Sequence, residues 1–172
     1  ISTGLFGDGA AAVLMVGDEH PLASQGALKF IDAQSEFFPN TEEVMGWDFT
    51  DEGLKIVLNE MVPAIAHEKI PPFVQSFLKK NQVEQSDLGV YMCHPGGPKV
   101  LTALEEALDL TKGELKRSWD GLKTYGNMSS VSVLFVIKEV LENREYEGQY
   151  GFMLSMGPAF CAEVGLWKGI EK

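Results

Sequence analysis

The chain has 172 residues, enough for one domain with a sizeable core and too few to plan on two. Its 45% hydrophobic and 23% charged content is that of a globular protein and excludes a disordered tail. A formal net charge of −11 argues against nucleic acid or an anionic membrane surface as the main partner, although a local basic rim still permits an anionic substrate.

The opening, Ile1-Ser2-Thr3-Gly4-Leu5-Phe6-Gly7-Asp8-Gly9, has no initiator Met and leads straight into strand-like sequence, so the chain reads as a piece of a longer protein. Gly7 to Gly9 predicts a tight turn, and the almost wholly apolar run Ala10 to Val16 a strand covered on both faces. Leu28 to Phe38 is a second extended segment. Pro39 to Glu52 is polar and loop-like, and Leu54 to Leu58 a short strand. Val62 to Lys80 has a helical pattern that Pro71-Pro72 should interrupt.

Leu88 to Cys93 predicts a short buried strand ending at His94-Pro95-Gly96-Gly97-Pro98, with a helix over Val100 to Leu110. Thr111 and Glu114 have capping-box spacing and should open another helix. Tyr125-Gly126-Asn127-Met128-Ser129-Ser130 is a turn into a helix over Val131 to Asn143. Its first ten residues are apolar on nearly every side, which asks for burial all round and so for a covering partner. Gly151 to Met156 and Phe160 to Trp167 form a closing pair of strands. The order predicts an α/β fold with a mixed sheet, residues 1–172 forming one domain.

No signal peptide or membrane span is visible. The uncharged, apolar-leaning stretch Tyr125 to Ile137 is too short to cross a bilayer and carries Asn127, Ser129, Ser130 and Ser132. Cys93 and Cys161 fit a reducing compartment and match neither a disulfide framework nor a metal spacing, so a cytoplasmic location and no metal are expected.

His94 leaves a buried strand at its carboxyl end, where open α/β sheets place ligand crevices. Gly96 and Gly97 let a substrate approach the backbone. Asn127 precedes the apolar helix, near orphan N–H groups that favour negative charge. Together His94 and Asn127 could donate to an enolate or oxyanion. The plainer readings are a structural histidine and an N-cap asparagine. His20 and His67 read as solvated, Glu42, Glu43, Asp48, Asp51 and Glu52 as a solvated acidic loop, and the methionines as core, with Met153 and Met156 also able to line an acyl tunnel.

Five stretches in this order, Leu5 to Ala12, Met45 to Leu54, His94 to Pro98, Tyr125 to Ser130 and Gly151 to Glu163, resemble the C-terminal half of type III polyketide synthases, the chalcone and stilbene synthase family. The resemblance implies a thiolase-like half, layered α/β/α, around a mixed, mainly five-stranded sheet. It implies condensation of an acyl-CoA starter with malonyl-CoA to a product such as a pyrone, resorcinol or chalcone, with coenzyme A thioesters as substrates and no bound cofactor. His94 and Asn127 take the family's roles in malonyl decarboxylation, and His94 also pairs with a cysteine thiolate. That cysteine lies in the family's N-terminal half; Cys93 should face away from His94 and Cys161 reads as core, so the chain alone should be inactive.

By the same resemblance, Ile56 stands where the family usually has a gating Phe, unless it is plain core. Ser129 lines the pocket wall, and Gly157-Pro158 keep part of a glycine-rich loop. The missing N-terminal half and a homodimer are the implied partners. The alternatives are a ketoacyl synthase III, which usually carries His-Gln-Ala-Asn at His94 to Gly97, and a non-catalytic acyl-binding or assembly module.

Overall fold

The computed structural model describes residues 2–111 and 113–171. Its centre is a four-stranded mixed sheet in the order β1-β6-β5-β4: β1 (Leu28–Phe37), β4 (Leu88–Cys93), β5 (Tyr150–Gly157) and β6 (Cys161–Gly169). β1 and β5 run antiparallel to β6, while β4 and β5 are parallel. A parallel pair needs a long crossover. Here three helices supply it: α3 (Pro98–Ala107), α4 (Lys116–Tyr125) and α5 (Val131–Glu142); α1 is the single helical turn Ser2–Leu5.

Strand alternation divides the core into two layers. On one face Tyr91, Cys93, Phe152, Leu154, Val164 and Leu166 pack on α3 and on α2 (Val62–Lys80), through Ile70, Phe77, Leu101 and Leu104. On the other, Val90 and Met92 meet Val136 and Val140 of α5, flanked by Met153 and Trp167. The layered α/β/α expectation holds, with four strands where five were expected.

Ala10 to Val16, expected as a strand covered on both faces, is not part of the sheet. That run is irregular, and Val13, Leu14 and Met15 are 60, 77 and 62% exposed. An apolar run becomes a strand only where a neighbour supplies hydrogen bonds, and among the described residues no strand pairs with it.

Three other expectations change. Pro71 and Pro72 do not break α2, which continues through both. Neither proline belongs to the buried core, Pro71 being half-buried and Pro72 exposed, and the carbonyls they leave free, on His67 and Glu68, belong to exposed residues. Meanwhile Val62, Ala66, Ile70, Phe73, Val74, Phe77 and Leu78 form one buried face on both sides of the pair. Within the expected loop, Met45–Thr50 is strand β2, paired antiparallel with β3 (Gly53–Leu58). Thr111 does hydrogen-bond Glu114 through its N–H (2.5 Å) and Oγ1 (2.9 Å), but α4 begins only at Lys116.

α5 itself is half covered. Ser132, Val133, Val136 and Val140 are buried and Leu134, Phe135 and Ile137 partly so, while the strongly exposed apolar side chains lie elsewhere. Among the described residues, no helix is long and apolar enough to cross a membrane.

Candidate active site

β4 ends where its ladder does. The His94 N–H donates to the Leu154 carbonyl of β5 (2.8 Å), and the chain then turns, the Gly96 N–H reaching the His94 carbonyl (2.9 Å). The imidazole folds beside Gly96: a Cβ there would sit 3.5 Å from His94 Cδ2. Burial holds this ring's pKa down at about 4, so it is neutral at neutral pH. Its neighbour Cys93 is fully buried on the α2–α3 face, and burial pushes its thiol up to about 12. Cys93 is therefore not a nucleophile for this site, as strand alternation predicts.

Asn127 is only 6% exposed and is held at four points. Its N–H donates to the Leu5 carbonyl (2.8 Å), and its carbonyl accepts from the Gly7 N–H (3.0 Å). Its side-chain Oδ1 accepts the Ser129 N–H (2.8 Å), and Nδ2 donates to the Gly96 carbonyl (3.0 Å). These contacts fix which end of the amide is N–H and which is oxygen. Only one of the two Nδ2 hydrogens is used by Gly96. Asn127 lies before the helix rather than at its cap, since α5 starts at Val131 after Ser130.

His94 and Asn127 face one cavity of about 120 Å³, joined through Gly96. Ser129, Gly157, Pro158 and Ile56 line it too, so seven of the eight residues singled out from sequence meet there. Gly97 does not. It is buried, facing Leu5, and its carbonyl receives the Val100 and Leu101 N–H groups (3.1 and 3.0 Å) that open α3.

Sequence reasoning expected the strand over Leu54 to Leu58 but missed its partner β2. Trp47 stands directly across from Ile56 and Met45 across from Leu58, and all four line the cavity. The alternation of Met45, Trp47 and Phe49 with Gly46, Asp48 and Thr50 was the available signal, hidden by the polar residues around it.

Two larger depressions, of about 400 and 390 Å³, lie near the start of β4 and gather none of these groups. In the second, Arg117 is already paired with Glu145, which raises the guanidinium pKa and lowers the carboxyl. Tyr91, touching both, has its phenol pushed up to about 12, first by burial. Among the described residues no cluster of His, Cys, Asp and Glu could hold a metal ion.

The family pattern described as chalcone and stilbene synthases, C-terminal domain, matches residues 29–171. The chain belongs to that family. It is 39% identical over 171 residues to a Bacillus subtilis relative, covering 97% of this chain and 47% of the other. To the 1,3,6,8-tetrahydroxynaphthalene synthase of Streptomyces peucetius it is 37% identical over 167 residues, covering 96% and 44%. The crystal structure of 1,3,6,8-tetrahydroxynaphthalene synthase from Streptomyces coelicolor, a bacterial type III polyketide synthase, superposes with a TM-score of 0.80 at 26% identity, over 86% of this chain and 42% of that one. This chain of the chalcone and stilbene synthase family thus spans less than half the length of these relatives, and its fold is the thiolase-like half of type III polyketide synthases. The match also sets aside ketoacyl synthase III as the family.

Proposed function

We propose that residues 1–172 form the C-terminal domain of a type III polyketide synthase and supply the group that drives malonyl-CoA decarboxylation. The observation that carries this reading is the cavity shared by His94 and the doubly anchored Asn127 amide. In the proposed step the bond between the malonyl carboxylate and its α-carbon breaks and carbon dioxide leaves. The electron pair moves onto the thioester oxygen, which becomes an enolate. Asn127 Nδ2, with one hydrogen free, donates to that oxygen together with His94 Nε2–H. Such donors typically contribute about 3–4 kcal/mol each to a transition state. The enolate carbon then attacks the acyl group held as a thioester on a cysteine, and that thiolate leaves.

The cysteine belongs to the N-terminal half, since Cys93 is buried on the α2–α3 face and Cys161, half-buried rather than core, is not among the residues lining the cavity. His94, neutral in this domain, would gain a proton beside that thiolate, because a nearby negative charge raises an imidazole pKa. The substrates are an acyl-CoA starter and malonyl-CoA, with no bound cofactor. Ile56 and Trp47 on the hairpin form an apolar wall that suits an aliphatic or aromatic acyl group. A cytoplasmic homodimer is the assembly we propose, and the chain by itself should be inactive.

The test is the full-length parent incubated with malonyl-CoA and a series of acyl-CoA starters, with products followed by mass spectrometry. Products grown by acetate units are expected from the parent and none from the 172-residue chain. A full-length parent that binds the thioesters but neither decarboxylates nor condenses them supports the non-catalytic module instead.

A further inference from the structure

Asn127 is fixed by backbone from the far end of the chain. Leu5 to Gly7 runs parallel to Gly126–Asn127, with Phe6 bridging to Asn127. The Asn127 N–H gives to Leu5 and the Gly7 N–H gives to Asn127, so one peptide segment is bracketed by the other. The hydrogen bonds are of ordinary length, but a side chain on either glycine would run into the other segment's backbone. A Cβ on Gly7 would lie 2.3 Å from the Tyr125 carbonyl oxygen, and one on Gly126 would lie 2.9 Å from that of Leu5. Both obstacles are main-chain atoms, which cannot swing aside as a side-chain tip can. Gly126 also has φ +71°, a left-handed conformation that side chains resist. Two residues on, a Cβ on Gly9 would meet Met128 Sδ at 2.4 Å, a flexible obstacle.

We infer that Gly7 and Gly126 are positioning residues for the Asn127 amide. They touch neither substrate nor reacting atoms. Their missing side chains let the two backbones close on each other, and that closure sets where Asn127 Nδ2 points between Gly96 and the cavity. Cavity-side contacts alone would leave the Asn127 main chain free to shift, and a displacement of about 1 Å can cost roughly 10²-fold in rate. The inference rests on the proposed role of Asn127 and adds to it a coupling between the leading segment and the site.

The test uses the full-length parent and a graded set of glycine replacements. Gly7→Ala meets backbone, Gly9→Ala meets a movable thioether, and Gly4→Ala meets nothing within 4 Å. The rate of malonyl-CoA decarboxylation should fall on the order of 10²-fold in Gly7→Ala with little change in KM. It should fall less in Gly9→Ala and not in Gly4→Ala. Loading of the starter onto the nucleophilic cysteine, read as the mass gain of the intact protein, should stay near the wild-type rate throughout. Gly7→Ala decarboxylating as fast as wild type would overturn the inference, and so would equal losses of loading and decarboxylation. A wild-type parent that never decarboxylates malonyl-CoA speaks against the proposed function itself, which separates the two failures. Should Gly7→Ala not fold, hydrogen exchange in the wild-type parent decides. The Gly7 and Asn127 amides should be protected together, and rapid exchange at Gly7 in the folded protein would contradict the clamp.

Discussion

Two neighbouring stretches near the start of the chain behave in opposite ways. Leu5 to Gly9 is short, glycine-rich and only moderately apolar, yet it is tied by two backbone hydrogen bonds to the residue before Met128. Ala10 to Val16 is far more apolar and strand-like, yet it is irregular and its largest side chains face solvent. Apolar composition announces that a segment will be buried. It does not say by what. The first stretch finds its partner inside this chain, and the second finds none among the described residues.

The strongest response should come from the site that Leu5 to Gly9 helps to hold, as sensitivity to acid. His94 has a pKa of about 4 in the fold against about 6.5 unfolded, because burial disfavours its charged form. Above pH 6.5 it is neutral in both states and contributes nothing. Between about 6.5 and 4 the unfolded chain takes up a proton that the fold refuses, so stability falls as pH falls, by on the order of 3 kcal/mol over the window. Urea unfolding of the 172-residue chain at pH 7, 5.5 and 4.5 should show this fall. His94→Gln should flatten it relative to wild type, and parallel curves would contradict the neutral buried ring.

A smaller loss is expected from Gly126→Ala, on the order of 1–3 kcal/mol, from left-handed strain and the close Leu5 carbonyl together. An unchanged urea midpoint would mean the Leu5–Gly7 segment yields freely. The smallest effect belongs to the loose side. Leu14→Asp, at an exposed position, should change the stability of this chain by less than about 0.5 kcal/mol. In the full-length parent the same substitution should cost several times more if the apolar run is covered there. Equal effects in both proteins would show that the run stays exposed.

The same contrast explains how much could be read from sequence. Leu88 to Cys93 was legible as a buried strand because five of its six residues are buried, the last four of them consecutively, and His94 followed from its end. The convergence of His94, Gly96 and Asn127 was legible through two distinctive motifs, whose partners all lie in this chain. The Pro71-Pro72 helix was misread because local chemistry favoured a break, while the apolar face continuing from Ala66 and Ile70 to Phe73 and Val74 outweighed it. Of the β2–β3 hairpin only β3 was legible, because Glu42, Glu43, Asp48, Asp51 and Glu52 masked the period-two pattern of β2. Gly97 was placed at the substrate by motif, whereas it serves the first turn of α3.

Whether His94 and Asn127 act as one unit on one oxygen is decided by a double-mutant cycle in the full-length parent. Malonyl-CoA decarboxylation is measured for wild type, His94→Ala, Asn127→Ala and the double variant. Each single change should cost on the order of 10²–10³-fold. The double variant should lose little more than the worse single one, because groups that act together are strongly non-additive. Losses that multiply would place the two residues in separate roles, and an Asn127→Ala enzyme with wild-type decarboxylation would remove the amide from the step.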